Sequence, residues 1–121
     1  MPKVLIVDDS QSALYTLRKL VEQAGHQAVT AESGEQALQL AAEEMPEVIL
    51  MDIVMPGMSG YTATRQLHRS NSTQHIPVIF VSSKNGEADR DWGLRQGARE
   101  YVTKPVNRDD LLKAISAAIA A

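Results

Sequence analysis

Cysteine is absent from all 121 residues. That excludes disulfides and thiol chemistry and suits a reducing compartment. A basic excess is absent too: the formal charge is −3 and the pI about 5.5. Broad nucleic-acid binding, which needs a cationic face, is therefore not expected. No apolar run reaches membrane-spanning length, so insertion into a bilayer is not expected. Lys3 is followed by only four apolar residues before Asp8, too few for a secretory leader, and the cytoplasm is the default. Linkers, low-complexity tracts and internal repeats are also missing. What remains is a chain with 44% apolar residues, the length of one domain, able to build a real core.

The centre of the pattern is Val48-Ile49-Leu50-Met51-Asp52, followed by Pro56-Gly57. Four apolar residues in a row suit a strand covered on both faces. Pro56 and Gly57 end it, leaving Asp52 at its carboxyl end. Val4–Val7 is a similar run and ends in Asp8-Asp9. Val78–Val81 is a third and ends in Ser82-Ser83. His26–Ala31 and Arg99–Thr103 read as weaker strands, the second closed by Lys104-Pro105. Between them lie helical patterns. Leu14, Leu17, Val21 and Ala24 recur behind a Ser10 cap. Ala37, Leu38 and Ala41 follow Ser33, and Ala63 and Leu67 face inward before Arg69. Glu87–Gln96 carries a thin apolar face of Ala88, Trp92 and Leu94. Leu111, Leu112, Ile115, Ala118 and Ile119 mark the last helix. Five strands alternating with five helices predict an α/β fold: a doubly wound parallel sheet with helices on both faces. The pattern fills residues 1–121 as a single domain, with no room for an output domain.

In a parallel sheet the carboxyl ends share one edge, where ligands bind. Asp8, Asp9, Asp52, Ser82 and Lys104 are thereby brought together. Three carboxylates raise one another's pKa unless a cation relieves them. An all-oxygen set suits Mg2+ better than zinc. A carboxylate beside a hard cation and a lysine is arranged to accept a phosphoryl group, with Asp52 as the nucleophile. The metal and Lys104 would neutralise the transferring oxygens, and Ser82 would hydrogen-bond one of them.

These residues carry a resemblance. Val4–Ser10, Met51–Gly57, Ser82 and Lys104-Pro105 resemble the response-regulator receiver domain of two-component signalling, over essentially the whole chain. The resemblance implies strand order 2-1-3-4-5 in a flavodoxin-like sheet. It implies a phosphoacceptor at Asp52 and Mg2+ ligation by Asp9, Asp52 and the Val54 backbone carbonyl, with Asp8 acting mostly through water. It further implies a hydroxyl switch at Ser82, an aromatic switch at Tyr101 and a cis bond between Lys104 and Pro105. Val54 and Lys84 occupy the variable positions that face the phosphoryl group in this family, and an apolar valine cannot position an attacking water. Ser82 stands where threonine is commoner. Asp52–Gly57 with Ala63–Leu67, and Trp92-Gly93 with Arg95–Ala98, are similar to the stand-alone PilH-type regulators of type IV pilus twitching motility. Such a regulator takes phosphate from a chemotaxis-like histidine kinase or phosphotransfer domain. Its output is a protein contact, or it serves as a phosphate sink, and it is not an enzyme with turnover of its own. The partner face would be the Glu87–Gln96 helix, the Arg99–Thr103 strand and the last helix. A monomer is the default.

Each signal also has a plainer reading. Asp8-Asp9 alone is a turn with a helix cap. Ser82 can satisfy a strand-end backbone group. Lys104 can be a solvated loop lysine, and Tyr101 can pack with its hydroxyl in water. Trp92 reads as a half-buried core or surface residue, and His26, His68 and His75 as surface residues without ligand spacing. Two other functions share parts of the pattern. A magnesium-dependent aspartyl-phosphate phosphohydrolase would need a second acid close to the nucleophile, where Ile53 and Val54 stand. A flavin carrier would need a phosphate-cradling loop after the first strand, where Asp8-Asp9 would repel phosphate.

Overall fold

The computed structural model describes residues 1–120. Five strands alternate with five helices in chain order. They are β1 (Lys3–Val7), α1 (Gln11–Gln23), β2 (Gln27–Ala31), α2 (Gly34–Glu44), β3 (Val48–Met51), α3 (Gly60–Arg69), β4 (Val78–Ser82), α4 (Glu87–Arg95), β5 (Glu100–Thr103) and α5 (Arg108–Ala120). The strands form one parallel sheet in the order β2-β1-β3-β4-β5.

The period-2 alternation of the strands divides the core in two. Leu5, Val7, Ile49, Met51, Val78 and Phe80 point to one face, where Ala37 and Ala41 of α2 and Ala63 and Leu67 of α3 cover them. Val4, Ile6, Val48, Leu50, Ile79 and Val81 point to the other, against Leu14, Leu17 and Val21 of α1 and Leu111, Ala114, Ile115 and Ala118 of α5. β3 is buried at every position because both its faces are covered, which is why its sequence shows no alternation. Helix starts follow from local chemistry: Ser10, Ser33 and Ser59 each accept a backbone N–H from the first turn, at Ala13, Gln36 and Thr62.

The register aligns the strand ends. Val7 lies beside Ala31 and Met51, Met51 beside Phe80, and Ser82 beside Thr103. The next bonds extend this alignment into the loops: Asp52 N donates to Val7 O at 2.9 Å, and Lys104 N to Ser82 O at 2.8 Å.

Four details depart from expectation. α4 buries none of Ala88, Trp92 or Leu94; all three are exposed, and Gly93 is its buried residue. Its last helical residue is Arg95, with Gln96 as the cap, and β5 begins at Glu100 rather than Arg99. His26 and His68 are half-buried, not surface residues. Thr73, within a polar stretch, is buried and donates its hydroxyl to Leu67 O at 2.7 Å, closing the loop after α3.

Candidate functional site

β1 and β3 end side by side and deliver Asp8, Asp9 and Asp52 to one hollow. One carboxylate oxygen from each of the three lies within 4.8 Å of those of the other two. Asp8 is 1% exposed and Asp52 8%, whereas Asp9 faces solvent. Buried carboxylates need partners. Asp8 Oδ1 accepts the Ser10 N–H at 2.9 Å, and Asp8 Oδ2 accepts Lys104 Nζ at 2.7 Å. Asp52 Oδ1 accepts the Ile53 N–H at 3.0 Å and lies 3.7 Å from Lys104 Nζ. The lysine is thus closer to Asp8 than to Asp52. Burial, and then the charge of Asp8, raise the Asp52 pKa from 3.8 to about 6 against the opposing pull of Lys104.

Ser82 is buried at the end of β4, and its Oγ accepts the Lys84 N–H at 3.2 Å. Tyr101 turns inward: it is buried, and its hydroxyl donates to Lys84 O at 2.6 Å. The plain reading of a tyrosine with its hydroxyl in water does not hold for this side chain. The Lys104–Pro105 peptide is cis. Val54 is 60% exposed at the rim, and Lys84 is exposed as well. Asp8, Asp9, Asp52, Ser82 and Lys104 are therefore all found at the sheet edge.

Gly60 is a site residue that the spacing arguments passed over. A Cβ at this position would sit 2.1 Å from Asp52 O and 2.9 Å from Ile53 Cα. The first turn of α3 rests directly on the backbone that carries Asp52, and only a hydrogen fits between them. The available signal was the glycine immediately after the Ser59 cap.

The donor set tests well for a hard divalent cation. It consists of oxygens, one of them on an exposed side chain, and a buried carboxylate whose charge burial and Asp8 oppose. Asp8, Asp9 and Asp52 are the carboxylates brought close enough together to hold such an ion.

Five parallel strands in the order β2-β1-β3-β4-β5, with acids, a hydroxyl and a lysine at their carboxyl edge, form the arrangement expected of a receiver domain. Residues 4–116 match the response regulator receiver domain, and the chain belongs to that family. It is 52% identical to the protein PilH of Pseudomonas aeruginosa over 120 residues, covering 99% of both chains. Among solved structures it is similar to the Vibrio cholerae chemotaxis protein CheY4, with a TM-score of 0.90, 29% identity and 98% coverage of both chains. It is also similar to the receiver domain of a Pseudomonas aeruginosa sensor histidine kinase that has a magnesium ion coordinated in its active-site cleft. There the TM-score is 0.91 and the identity 25%, with 99% of this chain and 98% of that one covered. Receiver domains take phosphoryl groups from histidine kinases and act on downstream proteins.

Proposed function

We propose that Asp52 accepts a phosphoryl group from a histidine kinase or phosphotransfer domain, and that the modification switches a protein-binding surface made of α4, β5 and α5. The observation that carries this reading is the convergence of Asp52 with Asp8, Asp9 and Lys104 at one sheet edge. In the transfer, an oxygen of the Asp52 carboxylate attacks the phosphorus, the N–P bond to the donor imidazole breaks, and the imidazole leaves. Asp52 and Asp9, with the Val54 carbonyl, would hold Mg2+, and Asp8 would reach it through water. The ion supplies charge neutralisation on the phosphoryl oxygens. Lys104 is the chain's own cation for the same charge. Held at 2.7 Å by Asp8, it is kept within reach of the Asp52 oxygens. Ser82 offers its hydroxyl to a phosphoryl oxygen, giving up the Lys84 contact. Tyr101, bonded to the carbonyl of that same Lys84, registers the change. Val54 brings no polar group to the rim, so water there is not positioned for hydrolysis. The chain acts as a monomer in the cytoplasm and is a switch that catalyses only its own phosphorylation and dephosphorylation.

The likeness to PilH over nearly the full chain supports a role for the switch in type IV pilus twitching or a chemotaxis-like pathway. The test has two arms. Incubation with a small acyl phosphate and Mg2+ is expected to add the mass of one phosphoryl group to the parent and nothing to Asp52→Ala. In a host strain lacking its own PilH-type regulator, the parent and not Asp52→Ala restores twitching. A parent that gains no phosphate, or an Asp52→Ala chain that gains as much, overturns the reading of the site. Equal complementation by both overturns the pathway.

A further inference from the structure

α4 has little of its own to hold it. Gly93 is its one buried residue, and Trp92, Leu94 and Ala88 are exposed. It packs on β5 through Gly93 and is tied to α3 by a set of side-chain contacts. Tyr61 meets Trp92 edge-on, with ring centroids 6.4 Å apart and planes at 83°. One turn further along both helices, Arg65 Nη1 donates to Gln96 Oε1 at 2.6 Å. Beyond that, the His68 ring lies against Gly97, where an added Cβ would come within 2.8 Å of Nδ1. The pairs 61–92 and 65–96 are each four apart on their helices, the spacing that puts side chains on one face. The first two contacts therefore form a ladder of defined register between α3 and the C-terminal end of α4, and the third lies just beyond it.

The ladder leads to the switch residue. Gly93 lies between the rungs at Trp92 and Gln96. A Cβ on it would sit 2.9 Å from Tyr101 Cδ2 and 3.1 Å from Phe80 Cδ2. The inward Tyr101 ring and the helix backbone share one space with no margin. Phe80 stands at 6.4 Å from Tyr101 and 5.5 Å from Tyr61, so the rung residue Tyr61 and the switch residue touch a common ring. Where α4 sits therefore decides whether Tyr101 stays inside.

We propose that Tyr61 and Arg65 of α3 are positioning residues for the switch: through Trp92 and Gln96 they set the seat of α4, and through Gly93 the inward state of Tyr101. Neither touches the phosphoryl site. This deepens the proposed function and rests on it for its meaning, but the ladder itself is testable without phosphate. Hydrogen exchange of the α4 amides is measured in the unphosphorylated parent, Arg65→Ala, Gln96→Ala and the double variant. 3-Fluorotyrosine NMR follows Tyr101 in the same proteins. Each single variant is expected to speed exchange of Gly93–Gln96 roughly tenfold, the worth of one charge-assisted hydrogen bond. α1 and α5 should remain at parent rates. The double variant should go no further than either single one. The Tyr101 resonance is expected to gain a second, solvent-exposed position. Tyr61→Leu, which keeps apolar bulk without the ring edge, guards against a variant that fails to fold and should give the same two signatures. Exchange within twofold of the parent in all of these, or a single unchanged Tyr101 resonance, overturns the proposal. A chain that shows the ladder effects but never takes phosphate instead overturns the phosphoacceptor reading and leaves the ladder standing.

Discussion

Asp52 is held where burial and its neighbour Asp8 both oppose its charge. The sign of the consequence follows from linkage. A carboxyl whose folded pKa is raised binds its proton more tightly in the folded state, so it adds stability at low pH and loses it as pH rises through the folded value. With values of 3.8 and about 6, the loss falls between roughly pH 4 and pH 6. Without metal, Asp52→Asn is therefore expected to be more stable than the parent at pH 7, on the order of 2–3 kcal/mol. The gain should fade as pH is lowered from 6 to 4. Urea unfolding of both proteins at several pH values in EDTA is the measurement. A difference that stays the same across that range would show that the ionised carboxylate is not what burdens the fold. Asp8 differs in its partners, accepting Lys104 Nζ at 2.7 Å and the Ser10 amide. Of these two acids on adjacent strands, one holds the lysine in the closer contact and the other carries the raised pKa.

At the scale of elements, what could be read ahead of the structure depended on how each element is held. β3 was legible to the residue because a strand covered on both faces must be apolar throughout. Its neighbours β1 and β4 were legible for the same reason, and with them the meeting of Asp8, Asp9, Asp52, Ser82 and Lys104. The strand order came from resemblance, because apolar runs do not say which strand lies beside which. α4 was located within a residue at its end, but its fastening was not legible. Apolar spacing looks for large side chains, and α4 is seated by a glycine, a ring edge and an Arg65–Gln96 hydrogen bond. Gly60 escaped for a similar reason. Its role is to lack a side chain where α3 meets Asp52, and periodicity does not register an absence. The two effects of Gly60→Ala compete. Helix propensity alone favours alanine by about 1 kcal/mol. Forcing a methyl onto backbone costs about 1–3 kcal/mol, and a Cβ only 2.1 Å from a main-chain oxygen leaves no flexible atom to yield. Net destabilisation is expected, together with slower uptake of phosphate as Asp52 is displaced. Denaturant unfolding and the acyl-phosphate reaction read the two effects. A Gly60→Ala protein as stable and as reactive as the parent would mean that α3 can withdraw freely from Asp52.

Across the whole molecule, the sheet separates stability from reactivity. Two apolar layers, one on each face, hold the strands in register. The register in turn forces three carboxylates to one edge, whatever that does to their charges. A cation that satisfies those oxygens binds the folded chain and not the unfolded one, in which Asp8 and Asp52 are far apart in sequence. Mass action then ties metal to stability: a hundredfold excess over Kd adds about 2.7 kcal/mol. For a domain of this length that corresponds to a rise in Tm of roughly 10 °C. Asp9 separates this effect from the fold itself, since it is exposed and takes no part in either core layer. Asp9→Asn is therefore expected to match the parent in EDTA, within about 0.5 kcal/mol as for other surface changes. It should lose most of the rise that Mg2+ produces in the parent. Thermal scans with Mg2+ and with NaCl at equal ionic strength remove the contribution of simple screening. If NaCl raised the parent as far as Mg2+ does, or if Asp9→Asn kept the full magnesium response, the gathered acids would be feeling bulk salt and not a bound ion.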